Sequence, residues 1–260
     1  MKKLLIHVGP HKTGSTTIQS FLHKKKGILL NNFYYHYPSI IEERNQHSDV
    51  AFSIKKNDFF HDDFLNKINN MDESIIISGE EFSTLNEQQI KYLIDKLNTF
   101  ENIEFIWVHR KLKDWTRSIM FHSIFYDINN IIWINNLKDY ISLQVQDYQA
   151  KFNIFNKFKL IKIDYEQIAG DNFIKEFFRK ICINFNEDII IWENNSNNHM
   201  NNSEMHSNNL KKFYKDNFNL DIEITLPSNF GQLLLNKINC SIDSYWHSDW
   251  NKIDEQIFTK

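Results

Sequence analysis

The sequence predicts an α/β fold, a central parallel sheet with helices on both faces. Three observations predict it. Short runs such as Leu4-Leu5-Ile6 and Ile75-Ile76-Ile77 are apolar at successive positions, as strands buried on both sides must be. These runs alternate with segments of helical spacing. The first run ends in a glycine-bearing loop that opens directly into a helix.

Residues 3–8 form a buried strand that stops at Gly9-Pro10, and residues 16–23 a helix with Ile18, Phe21 and Leu22 on one side. Residues 31–56 are aromatic and polar, and predict mostly loop with short helices; residues 63–70 are weakly helical. Residues 73–78 are a second buried strand, closed by Gly79-Glu80-Glu81. Ile90, Leu93, Ile94 and Leu97 give an amphipathic helix over 87–98. A third strand spans 103–109, helices 112–126 and 135–155 follow, then a strand at 158–164 and a helix at 173–181. Residues 193–209 are Asn/Ser-rich without apolar period and read as loop; a helical tail starts near 228.

The 260 residues suit a single domain, 1–260, and 24% charged with 42% hydrophobic residues excludes a disordered chain. Six glycines and three prolines exclude a collagen-like or linker-dominated chain. The formal charge of -3 offers no global basic field, so nucleic acid is not an expected partner and any polyanion site must be local. Cys182 and Cys240 stand far apart and are expected to be reduced, buried thiols. The apolar start ends at His7, too short for a signal peptide, and no run is long enough for a membrane span. A cytoplasmic location is the expectation.

The loop Gly9-Pro10-His11-Lys12-Thr13-Gly14-Ser15-Thr16-Thr17 lies between strand and helix, where α/β proteins bind phosphates on unpartnered amides. Gly14 permits close approach, Ser15, Thr16 and Thr17 add hydroxyls, and Lys12 adds a cation. In a Walker A loop the lysine follows the last glycine. Here it precedes Gly14, which argues against an ordinary nucleoside triphosphatase; the bland alternative is a glycine turn with an exposed lysine.

The stretch His7–Thr17 closely resembles the 5′-phosphosulfate loop of sulfotransferases that use 3′-phosphoadenosine 5′-phosphosulfate (PAPS), and its wording is most similar to their bacterial branch. The resemblance implies a P-loop-like three-layer fold. It implies Lys12 near the bridging oxygen of the phosphosulfate, and Thr13, Gly14, Ser15, Thr16 and Thr17 around the 5′-phosphate.

Arg110 follows the third strand and Ser118 comes eight residues later, within a helix. A guanidinium at a strand's carboxyl end suits phosphate. The alternative is a surface cation pairing with Asp114. Sulfotransferases resemble this chain here too: their 3′-phosphate motif runs strand, Arg, then Ser at this interval, which implies Arg110 and Ser118 as ligands. The family often has Pro two residues after the Arg, where this chain has Leu112. Residues 161–168 resemble a later strand of the family; read alone, Tyr165 and Glu166 cap a strand.

Sulfuryl transfer to a hydroxyl calls for a base, and the smaller charge of the transferred group makes a metal unnecessary; no Asp cluster suggests one. Glu80 is the first candidate, since Ser78-Gly79-Glu80-Glu81-Phe82 resembles the Ser-x-Glu-x-Phe of bacterial relatives. Glu81 is its neighbour, and either acid has the alternative of capping the helix after Ser83. His47 is the second candidate base or an acceptor-binding group; a lone loop histidine is more often exposed. His11 either touches sulfate or shapes the loop, and His7 reads as a satisfied core residue. Tyr34, Tyr35 and Tyr37 either stack on an acceptor or pack; Trp107 and Trp115 read as packing. A PAPS-dependent sulfotransferase with a carbohydrate acceptor is thus the expectation; a P-loop small-molecule kinase and a non-catalytic nucleotide-binding protein are the alternatives.

Overall fold

The computed structural model describes residues 2–30, 33–39, 46–58, 60–126, 136–181, 208, 211, 215, 230–246 and 248–259. The chain divides into two compact units, Met1–Arg110 with Tyr148–Glu193, and Lys111–Asp147 with Asn194–Lys260.

The first unit is built on six strands: β1 (Lys3–His7), β2 (Gly27–Leu30), β3 (Phe33–His36), β4 (Ser74–Ser78), β5 (Asn102–His109) and β6 (Leu160–Asp164). They lie in the order β2-β3-β4-β1-β5-β6. Five are parallel, with β2 antiparallel at the edge. β1 sits in the middle, with Leu4 opposite Ile75 on one side and Ile103 on the other. Its helices are α1 (Ser15–Lys25), α2 (Ser48–Lys56), α3 (Phe60–Asn69), α4 (Glu87–Lys96), α7 (Tyr165–Ile168) and α8 (Phe173–Lys180), with the end of α6 (Leu137–Phe155).

Strand periodicity divides the apolar side chains between two faces. Leu5, Ile76, Ile106, Val108 and Ile163 join Ile18, Phe21 and Leu22 of α1 and Phe177 and Phe178 of α8 in one core. On the opposite pleat Trp107 packs on Tyr148, Phe152 and Phe155 of α6, with centroids 5.5–5.8 Å apart, and Phe105 joins at 5.4 Å. The sheet is therefore covered on both sides, as its apolar strands require.

In the second unit α5 (Leu112–Tyr126), α9 (Phe230–Tyr245), α10 (Ser248–Thr259) and the start of α6 are described. Met120, Phe121, Leu137, Tyr140, Ile141, Leu234, Ile238 and Ile242 form its core. Lys111, which precedes α5, has no side-chain acceptor for the helix amides. The Leu112 amide donates instead to the Asp254 carboxylate of α10, at 3.0 Å to Oδ1.

Some expectations are corrected. Residues 27–30 and 33–36, within and before the stretch read as loop, form the antiparallel pair β2–β3, with Gly27 opposite His36 and Tyr35 opposite Ser74. Pairing with β4 outweighs the polar composition, and the aromatic run Phe33-Tyr34-Tyr35 has high strand propensity. Cys240 is exposed, not buried, because it lies on the outer side of α9 from Ile238 and Ile242. Cys182 lies outside the described residues, as does the Asn-rich stretch 193–209 apart from Asn208. Among the described residues no helix is long and apolar enough to cross a membrane.

Candidate active site

The chain leaves β1 toward the β3–β4 side of the sheet and later crosses back to β5. This reversal makes the carboxyl end of β1 a switch point, where open α/β sheets bind ligands. Pairing continues just past the strand on both sides, from the Gly79 amide to His7 O at 3.1 Å and from the Val8 amide to Ile106 O at 3.0 Å. The loop of residues 9–14 springs from that anchored base. The buried Thr13 hydroxyl donates to Pro10 O at 2.7 Å and so holds the turn.

Gly14 has φ 82°, and a Cβ there would stand 2.4 Å from Phe173 Cζ. Only glycine serves both demands. Lys12, with a side chain to accommodate, is also left-handed at φ 69°. Gly14 occupies the cap of α1 and has no side chain to accept from the first-turn amides, so the helix meets the loop with its positive end uncovered. The Ser15 hydroxyl at this end is buried and makes no well-formed hydrogen bond, although it lies close enough to Glu80 to stabilise the ionised carboxylate. Among the described residues Lys12 forms no ion pair. Burial lowers its pKa, the Glu80 charge raises it, and Arg110 lowers it again.

Glu80 and Glu81 open the 3-10 turn Glu80–Thr84 that follows β4. A Cβ on Gly79 would meet Ser48 N at 2.9 Å, so α2 seats tightly against the start of this turn. The helix-cap alternative for the two acids fails: α4 is capped by Asn86 and Gln89 in a reciprocal box. Both acids turn to His11 instead, with Nδ1 2.7 Å from Glu80 Oε2 and Nε2 3.3 Å from Glu81 Oε1. Hydrogen bonds to Glu80 and then Glu81 push the His11 pKa up to about 9 against the effect of burial. For Glu80, burial works to raise the pKa, but the hydrogen bond and charge of His11 with Ser15 and His7 outweigh it and hold the carboxyl below its ordinary value. Glu81 is lowered first by His11, and it also feels Lys55 and Lys151. Glu80 is thus the acid that faces the loop.

Arg110 follows β5 and points back to the same loop, donating from Nη1 to Lys12 O at 3.0 Å. Its guanidinium lies 5.1 Å from the Tyr165 ring centroid, a cation–π contact, and its buried Nε has no hydrogen-bond partner among the described residues. Asp114, the alternative partner, pairs with Arg117 at 2.8 Å. Ser118 lies half-buried on α5, nearly two turns from its start, in the second unit.

His47 is not an exposed loop residue. It is 1% exposed and packs against Tyr37 and Phe64. Its Nδ1 accepts from the Ser78 amide at 3.1 Å and its Nε2 donates to Pro38 O at 2.6 Å. Burial lowers its pKa to about 4. With both nitrogens on backbone groups, the ring as placed ties β4 to the segment after β3 and has no free nitrogen for a base. His7 is only half satisfied: Nδ1 bonds Ser78 Oγ at 2.7 Å, while buried Nε2 has no partner. Tyr35 and Tyr37 are buried core residues, as are Trp107 and Trp115. The side chain of Tyr34 lies outside the description.

The first unit therefore brings together Lys12, the α1 terminus, Glu80, Glu81 and Arg110 on one edge. Sequence reasoning left His11 open and took Tyr165 for a cap. The signal for Tyr165 is the β5–β6 register, which sets His109 opposite Asp164 and thus Arg110 beside Tyr165; spacing along the chain does not give it. Compared with models of known protein families and with curated proteins, the chain matches none.

Proposed function

We propose that this chain is a sulfotransferase that moves a sulfuryl group from PAPS to an acceptor hydroxyl, with a carbohydrate as the acceptor class. One observation carries the reading: at the carboxyl end of the central strand, a helix terminus with no side-chain cap, a lysine with no ion pair among the described residues and the Arg110 guanidinium converge beside a carboxylate. Two cationic groups and open amides suit a ligand with separated phosphates. The parallel-strand order β3-β4-β1-β5-β6, with the loop after the middle strand, fits a P-loop-like fold.

The donor supplies an activated sulfuryl group when bound; the chain's part is positioning and charge. The α1 amides with Ser15, Thr16 and Thr17 would hold the 5′-phosphate, and Arg110 the 3′-phosphate. Lys12 would offset the charge that grows on the bridging oxygen as its bond to sulfur breaks and that oxygen keeps the electron pair. Glu80 would take the acceptor's proton as the new oxygen–sulfur bond forms. Its depressed pKa keeps it ionised through the physiological range.

The test is calorimetry with 3′-phosphoadenosine 5′-phosphate (PAP) and with Mg-ATP, followed by radiolabel transfer from PAPS to sugars and phenols. PAP should bind and Mg-ATP should not. Glu80→Gln should keep PAP affinity while transfer falls about 10²–10⁴-fold. Binding of Mg-ATP alone would favour a small-molecule kinase and end the proposal.

A further inference from the structure

Two adjacent carboxylates beside an anion site are an electrostatic problem. Glu80 and Glu81 are only 16% and 18% exposed, so water screens them poorly. Left alone, they repel the same phosphates that Lys12 and Arg110 attract. His11 touches both, at 2.7 and 3.3 Å, through different ring nitrogens. Carboxylates are acceptors, so both nitrogens must donate and the ring must carry its full charge. The upward shift of its pKa by the two hydrogen bonds agrees with that geometry. Lys12 also acts on Glu80 by charge, and Lys55 and Lys151 act on Glu81.

We propose that His11 is a positioning residue: an imidazolium bridge that holds Glu80 at the loop and offsets the acidic pair, so that an anionic donor can bind next to the carboxylate that takes the acceptor's proton. The inference rests on the sulfuryl-transfer reading above. Its content is a charge count. Glu80, Glu81 and His11 together carry one net negative charge; replacing His11 by a neutral residue makes it two; neutralising Glu81 as well returns it to one.

Affinity for PAP in low-salt buffer at neutral pH, measured by calorimetry with melting curves as the control for folding, reads that count. His11→Gln should bind PAP about 10-fold more weakly than the native chain. The double variant His11→Gln with Glu81→Gln should return to within about 3-fold of native, and His11→Arg should also recover most of the loss. Glu81→Gln alone should bind PAP more tightly, which keeps the test open if His11→Gln does not fold. Equal affinity for native and His11→Gln proteins overturns this inference and leaves the donor reading standing, as does a double variant no tighter than His11→Gln. A native protein that does not bind PAP at all overturns both.

Discussion

Lys12 carries the most local signature of the proposed donor site. Of the described non-glycine residues with positive φ, Lys26 and Asn57 end helices, where a left-handed residue closes the last turn. Lys12 ends no helix, and its φ of 69° stores about 1 kcal/mol of strain in a loop that glycine would build more easily. Lys12→Gly should therefore raise the unfolding free energy by up to about 1 kcal/mol in urea titrations, while PAP affinity and transfer collapse. A glycine variant both less stable and fully active would refute the role. The strain was not legible in the sequence, although the residue was: the order Lys-Thr-Gly-Ser-Thr between strand and helix points to an anion site without any coordinates. Glu80 is the first candidate in the sequence by its place after a strand, but its choice over Glu81 rests there on resemblance alone. That choice depends on which acid faces Ser15 and Lys12 across the turn.

Among the elements, the apolar strands and amphipathic helices were readable because their periods are local. The β2–β3 pair was not, since β3 is specified by pairing with β4, some forty residues along the chain, and β2 by pairing with β3. The burial of His47 follows from that same pair, because the segment after β3 supplies Tyr37 and Pro38 around the ring. This brings a pH dependence to the sheet. His7 and His47 have folded-state pKa values near 4, below the unfolded value of 6.5. The unfolded chain therefore binds protons first as pH falls, and the stability present above pH 6.5 is lost progressively toward pH 4. Each ring should remove about 2 kcal/mol between pH 8 and pH 5. His11, with its folded-state pKa raised to about 9, works the other way and offsets part of that loss over the same range. Urea midpoints should fall by the balance, and His47→Gln, though less stable at pH 8, should show a shallower slope. An unchanged slope would mean that His47 is not held neutral in the fold.

The whole molecule is acidic, with a formal charge of -3, so long-range attraction does not bring a polyanionic donor to it. On the proposed reading, attraction of the donor falls to the few cations around one loop, acting over short distances. Raising the ionic strength from about 0.01 M, where charges are felt over about 30 Å, to about 1 M, where the range is about 3 Å, should therefore weaken PAP binding. An about 10-fold loss is expected, along with a smaller rise in melting temperature at fixed PAP; salt-independent affinity would exclude the cationic loop as the main contact. The capping of α5 by Asp254 carries a different lesson, about synthesis. The helix that bears Ser118 begins without a local cap and borrows one from a carboxylate placed 142 residues later. A ribosome that has made all of α5 has not yet made the group that finishes its first turn, so a nascent chain, or one stopped before Asp254, holds this helix with a frayed beginning.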